Sequence, residues 1–108
     1  ICLLITCTLL LTSCGIKELP SDKQDYVGTW TSENTILTIS KSAKVEYKKQ
    51  LSDVSSKSVN GPIKKFDGNN FIVGALGIET VFVVSETPHM EAGVIKMTVD
   101  GEELVKQE

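Results

Sequence analysis

The side chains in this sequence that could do chemistry are few and widely spaced. The three cysteines are Cys2, Cys7 and Cys14, and the single histidine, His89, lies between Glu86 and Glu91. A zinc site needs three or four ligands in fixed geometry, and general-base catalysis needs a reacting group within hydrogen-bond reach of the base. One histidine with two flanking glutamates meets neither requirement. We therefore interpret His89 as a solvated loop residue, and we predict no catalytic residues and no metal site.

The beginning of the sequence has the pattern of a bacterial export signal. Residues 1–13 are uncharged and mostly apolar, which is typical of the h-region of a signal peptide and too short for a membrane-spanning helix. Because signal peptides ordinarily start with Met and basic residues, we expect a few residues to be missing from the start. The run Leu11-Thr12-Ser13-Cys14 resembles the lipobox of bacterial lipoproteins. That resemblance implies a diacylglyceryl group on the Cys14 thiol, cleavage before Cys14 and acylation of the new amine.

The lipobox resemblance also implies an address in the bacterial cell envelope. Acyl chains on Cys14 would anchor the protein in a membrane. Gly15 is compatible with outer-membrane delivery, facing the periplasm, because an aspartate at that position retains enterobacterial lipoproteins in the inner membrane. The mature chain would have no second cysteine for a disulfide, and we predict no cofactor besides the covalent lipid on Cys14. We assign residues 1–13 to the signal peptide, 14–25 to the lipidated cysteine and a flexible tether, and 26–108 to one β domain.

The charge distribution excludes some classes of partner. The chain has eleven lysines, no arginine and fourteen acidic residues, for a net charge of −3. A nucleic-acid-binding protein needs a basic face, so we predict no nucleic-acid partner. The lysine pairs 48–49 and 64–65 are interpreted as solvated surface, with attraction to anionic lipid or to an acidic partner as the alternative.

From Tyr26 onward the pattern favours short strands. Residues 44–50 alternate between apolar and polar side chains, and residues 67–70 are a turn signal. Gly61 and Pro62 limit their segment to a bent or edge strand, and residues 86–93, with Pro88, are predicted to form a loop. We predict an all-β fold, a small antiparallel meander barrel or sandwich of seven to eight short strands.

The last predicted hairpin has an internal check. A two-residue turn at Asp100-Gly101 would place Val99 opposite Glu102 and Met97 opposite Leu104. Directly opposed residues share a face of the sheet, and this register puts most apolar residues of both strands on one face. We therefore give Asp100 and Gly101 a structural role.

Two apolar segments could be either core or binding surface. The G-x-W of Gly28 and Trp30 resembles the G-x-W of lipocalin-type barrels, which implies that the glycine permits close packing and that the tryptophan closes the barrel floor. Lipocalins pair that tryptophan with an arginine on the last strand, where this chain offers only Lys106. Residues 71–78 are interpreted as a buried strand with a glycine bulge, or as an apolar loop that contacts a partner or the membrane.

Together these features predict a membrane-anchored binding module without enzymatic activity. Its partners would be the membrane, through the anchor, and an envelope protein, a peptide or a small ligand at one end of the barrel. The VGTW segment and the MTVDG hairpin also resemble those of small bacterial lipoproteins with no assigned activity. The alternative is a hydrolase inhibitor or immunity-type lipoprotein, because small β-barrel lysozyme inhibitors have this size and anchor. The chain lacks their Ser-Gly-Ser-Gly-Ala-type loop and their disulfide.

Overall fold

The protein is described here by a computed structural model of residues 16–75 and 77–107. A short 3-10 helix, Ser21–Tyr26, precedes the strands. The strands are β1 (Gly28–Thr31), β2 (Thr35–Ile39), β3 (Lys44–Gln50), β4 (Ser56–Asp67), β5 (Asn70–Ala75), β6 (Ile78–Phe82), β7 (Val84–Glu91), β8 (Val94–Val99) and β9 (Glu102–Lys106).

The strands form one antiparallel sheet in the order β6-β5-β4-β3-β2-β1-β9-β8-β7. Strands β1 to β6 follow one another as a meander, and the last three strands join on the other side of β1 through the β1–β9 pair. The outer strands β6 and β7 are nevertheless consecutive in the chain, joined by Val83. Nine flat strands would span roughly 40 Å at about 4.8 Å per strand, so this one-residue link requires the sheet to curl. The result is a half-barrel, which confirms the predicted all-β, barrel-like antiparallel fold.

The sheet has more strands than the seven or eight predicted, because two segments divide differently. The apolar residues 79–85 do not form one continuous strand, because β6 ends at Phe82 and β7 begins at Val84. The backbone N–H of Val83 donates to the Asp100 carboxylate at 2.8 Å, and its carbonyl accepts from the Asp100 N–H at 2.7 Å. These two hydrogen bonds hold Val83 against Asp100 at the point where the chain passes from one edge of the sheet to the other.

The predicted loop at residues 86–93 is also wrong. Residues up to Glu91 belong to β7, which contains both Pro88 and His89. Since β7 is an outer strand with register shifts against β8, a proline without an N–H group is tolerated there. The Gly61-Pro62 segment was predicted to be a bent or edge strand, and it does lie in a strand, β4, whose first half pairs with β3 and whose second half pairs with β5.

Residues 16–25 were assigned above to a flexible tether, but two of them, Ile16 and Leu19, are bound to the sheet. The Ile16 N–H donates to the Ile63 carbonyl at 3.4 Å, and the Leu19 N–H donates to the Lys41 carbonyl at 3.3 Å. Leu19 is only 3% exposed and belongs to the core. This packing could not be predicted from hydrophobic periodicity, because the segment is polar and only one leucine is buried, and a single residue forms no repeating pattern.

The concave face of the sheet is filled by side chains. Alternate residues of most strands point inward, and the largest fully buried side chains are Trp30, Phe71, Phe82, Leu37, Ile39, Ile63, Met97 and Leu104. The rings of Phe71 and Phe82 stack with centroids 5.0 Å apart. The interior is therefore a packed core.

The last hairpin has the predicted register. Val99 pairs with Glu102 and Met97 with Leu104. Asp100 and Gly101 both have positive φ, 52° and 80°, which is the backbone geometry of the tight turns that match strand twist. In the segment 71–78, Phe71, Ile72 and Val73 are buried strand residues as interpreted. Gly74 pairs regularly with Glu79, so the expected glycine bulge is absent at that position.

Candidate binding cleft

Gly28, Trp30 and Lys106 meet at one end of the half-barrel. Trp30 pairs with Lys106 across β1 and β9, so both side chains lie on the inner face. The Trp30 ring is fully buried, its Nε1–H donates to the Tyr26 carbonyl at 3.0 Å, and the Lys106 Nζ lies 5.6 Å from the ring centroid. Gly28 has φ +142°, and a Cβ added there would lie 2.7 Å from the Lys106 Cε. The glycine thus leaves space for the lysine stem to cross toward the tryptophan.

Beside this cluster the half-barrel opens into a cleft of about 210 Å³. Met90 pairs with Ile95 across β7 and β8, so their side chains share a face. The cleft is lined by Asp25, Pro88, His89, Met90, Ile95 and Lys106. Pro88, Met90 and Ile95 are its apolar lining residues, and we call its polar lining residues, Asp25, His89 and Lys106, the rim. Sites for drug-sized molecules are typically about 300–1,000 Å³, so this cleft has room for one side chain or a small group.

His89 is one of the titratable groups that line the cleft, together with Asp25 and Lys106. Its Nδ1 is 2.8 Å from the Thr87 carbonyl oxygen, and its Nε2 is 3.4 Å from a Glu91 carboxylate oxygen and 3.7 Å from one of Glu86. The hydrogen bond to Thr87 raises the pKa of His89, and the two carboxylates add to that effect against partial desolvation. A protonated His89 would donate from both nitrogens. Within residues 16–75 and 77–107, no group of three or more His, Cys, Asp or Glu side chains could hold a metal ion.

A second polar cluster lies at the opposite end of β1. The Glu102 carboxylate accepts hydrogen bonds from the hydroxyls of Ser32 and Thr35, and Lys49 Nζ lies 3.6 Å from it. Burial alone would raise the pKa of Glu102, but these hydrogen bonds and the lysine charge together lower it below the ordinary value. This cluster was not predicted, because its serine and threonine lie about 70 residues before the glutamate in the chain. Both carboxylate oxygens of Glu102 accept a hydrogen bond from a hydroxyl of this protein, and we interpret the cluster as structural.

The four paired lysines named in the sequence lie in different settings. Lys49 faces Glu102, whereas Lys48 is on the exposed surface of β3. The Lys64 stem crosses Gly74 on the neighbouring strand, at the position that a Cβ would occupy. Lys65 pairs with Ile72 and is exposed.

The lipobox residues Leu11–Ser13, Cys14 and Gly15 lie outside the described residues. Among the residues that the structure does describe, no helix is long and apolar enough to cross a membrane.

Comparison with known proteins gave no relative. No protein-family model matches the chain, and neither the curated proteins nor the solved structures contain a match.

Proposed function

We propose that this protein is a lipid-anchored bacterial envelope protein that binds a protein or peptide partner at the open end of its half-barrel. The observation that supports this proposal is the cleft beside β7, where the exposed Met90 and the rim residue His89 stand next to Lys106. Met90 is 67% exposed. Methionine is over-used at promiscuous binding surfaces because its side chain is flexible and polarizable.

The volume of the cleft favours one side chain of a partner over an enclosed ligand. The concave face behind it is closed by Trp30, Phe71 and Phe82, each at most 1% exposed. A lipocalin-like carrier needs a deep internal cavity, whereas here the core side chains fill the concave face. Contact with a partner would therefore be made at the rim and along β7. We therefore propose a binding module rather than an enzyme.

The anchor is proposed from the sequence. The lipobox at 11–14 supports a lipid on Cys14, and Gly15 supports outer-membrane delivery with the domain facing the periplasm. Two or more acyl chains give stable membrane attachment, whereas one chain binds only marginally. The anchor would restrict the partners to proteins and peptides of the envelope.

Position-specific photocrosslinking in intact cells tests the binding proposal. A photoreactive residue at Met90 should form a discrete adduct, and the same residue at Val54 should not. Val54 is a matched control because it is apolar and 94% exposed, but lies in the β3–β4 loop away from the cleft. Equal adducts at both positions, or none at Met90, would contradict the cleft as the binding surface.

The alternative function is an inhibitor or immunity-type lipoprotein that blocks a periplasmic hydrolase. The β7–β8 hairpin favours it, because Met90 and Val94 are both exposed beside the tight turn at residues 92–93. A narrow hairpin with apolar flanks could enter an enzyme cleft. Identification of the Met90 adduct by mass spectrometry decides between the two, since the alternative requires a hydrolase and loss of its activity on binding.

A further inference from the structure

We infer that the end of the half-barrel where Ile16 is docked lies directly against an anionic membrane surface. The inference rests on the proposed lipid on Cys14. It adds an orientation and a second attachment, made by lysine side chains to lipid headgroups. Two observations support it, the short length of chain before the docked residue and the charge of the surface around it.

The first observation concerns reach. Ile16 follows Cys14 by two residues, and its N–H is bonded to the Ile63 carbonyl at 3.4 Å. Two residues of extended chain span at most about 7 Å. With Ile16 and Leu19 held on the sheet, the domain cannot move away from a bilayer that holds the Cys14 lipid. The surface around Ile63 must then lie within about one lipid headgroup layer of the membrane.

The second observation concerns charge. Three segments meet where the N-terminal residues dock, namely residues 16–19, 41–44 and 63–65. They are connected by backbone hydrogen bonds, from Ile16 to Ile63, from Leu19 to Lys41 and from Ile63 to Ala43. Five exposed lysines lie on these segments, which we call the basic patch: Lys17, Lys41, Lys44, Lys64 and Lys65.

The basic patch has the opposite sign to the protein as a whole. Five lysines and one acidic residue on the three segments, Glu18, give +4, in a chain of net charge −3. The ion pairs found among the described residues involve none of these five lysines. Lys44 faces Pro62 across β3 and β4, so Lys44 and Lys64 are diagonal neighbours on the outer face, about 7–8 Å apart. Their positive charges repel one another, and an added counter-charge would offset that repulsion.

An anionic bilayer supplies that counter-charge over an extended area. Each lysine within reach of an anionic membrane surface favours contact by a factor of about five. This attraction falls off within a Debye length, about 8 Å at physiological ionic strength, which is comparable to the reach that the anchor permits. The cleft beside β7 is lined by residues outside the basic patch, so it would remain accessible to a partner while the patch contacts the membrane.

Amine footprinting of the full-length protein in vesicles tests the inference. Protein purified from the membrane fraction is reconstituted either in phosphatidylcholine or in phosphatidylcholine mixed with phosphatidylglycerol, and lysine acetylation is measured by peptide mass spectrometry. We expect the basic-patch lysines to be labelled several-fold more slowly in the anionic vesicles. Lys57, exposed at the far end of β4, should be labelled equally in both. High salt should abolish the difference.

Matched variants separate the patch from general charge. Lys41→Gln with Lys44→Gln should reduce the protection of the remaining patch lysines. Lys48→Gln with Lys57→Gln, which removes the same charge elsewhere on the exposed surface, should leave it unchanged. Equal labelling of the patch in both vesicle types would overturn the inference, and so would equal effects of the two double variants. Intact mass keeps the failures apart: a lipidated protein without patch protection refutes the orientation alone, whereas an unlipidated protein refutes the anchor and the inference with it.

Discussion

Replacing Trp30 with alanine removes the largest fully buried side chain of the protein. The change also removes the Nε1–H donor that satisfies the Tyr26 carbonyl at 3.0 Å, and the aromatic face under the Lys106 amine. Truncation of a buried tryptophan to alanine typically costs about 3–5 kcal/mol. A small domain has a total stability of roughly 5–15 kcal/mol, so the variant should be severely destabilised.

Trp30→Ala is expected to lower the melting temperature of the protein strongly. For a domain of this size, 1 kcal/mol shifts the melting temperature by about 4–8 °C. Trp30→Ala should therefore melt at least about 12 °C below wild type, as followed by the β signal in circular dichroism. Trp30→Phe keeps most of the ring but leaves the Tyr26 carbonyl without its donor, which costs about 1–3 kcal/mol, so its melting temperature should be intermediate.

Lys106→Ala is the control, because it removes the amine above the ring without opening the core. A cation–π contact at a partly exposed site contributes only about 0.5–1 kcal/mol, so this variant should melt only about 2–8 °C below wild type. If Trp30→Ala melted like wild type, the assignment of Trp30 to the core would be refuted. If in addition it lost a binding partner, Trp30 would be a binding residue instead.

Three further substitutions test other parts of the account. Leu19→Ala should lower the free energy of unfolding by about 2–5 kcal/mol in urea titration, whereas a residue in a flexible tether would give no change. Gly28→Ala should destabilise the protein both through its φ of +142° and through the Lys106 side chain. In a Lys106→Ala background only the backbone contribution should remain, and a full rescue would show that φ is unimportant. Glu102→Gln should lower the melting temperature at pH 7. Because the folded-state pKa of Glu102 is lowered, its contribution is complete above the unfolded-state pKa and is lost as the pH falls through the folded-state value. The gap between wild type and Glu102→Gln should therefore narrow below about pH 4.5, and a constant gap would contradict the hydrogen-bonded carboxylate.

The parts of the fold that depend only on residues close together in the chain were predicted from the sequence. The alternation in residues 44–50 and the turn at Asp100-Gly101 each depend on neighbouring residues, and the structure has both as predicted. Pro88 misled the prediction because proline is excluded from central strands but not from outer ones. Whether β7 is an outer strand follows from the order of the whole sheet.

The candidate site was only partly visible from the sequence. Lys106 was singled out as the partner of Trp30 because it lies on the last strand, and the structure places its amine 5.6 Å from the ring. His89 was noticed only as the single histidine. That it shares a cleft with Asp25, more than 60 residues earlier, depends on the docking of the 3-10 helix, which has no signature in the local pattern.

The orientation at the membrane depends on one unpredicted contact. In the proposed orientation, the hydrogen bond from Ile16 to Ile63 would hold the domain close to the membrane, whereas a flexible tether would leave it loosely attached. Such a contact between distant segments cannot be derived from composition, because polar residues with one proline are equally typical of linkers.

Intact-mass analysis of the protein extracted from the membrane fraction tests the central claim, attachment to the envelope through Cys14, most directly. We expect a chain that begins at Cys14 and carries the added mass of a diacylglyceryl group and an amide-linked acyl chain. Cys14→Ala should remove this added mass and should also prevent cleavage of the signal peptide before residue 14. A soluble mature product without lipid, or a chain cleaved at another position with an unmodified Cys14, would contradict the claim.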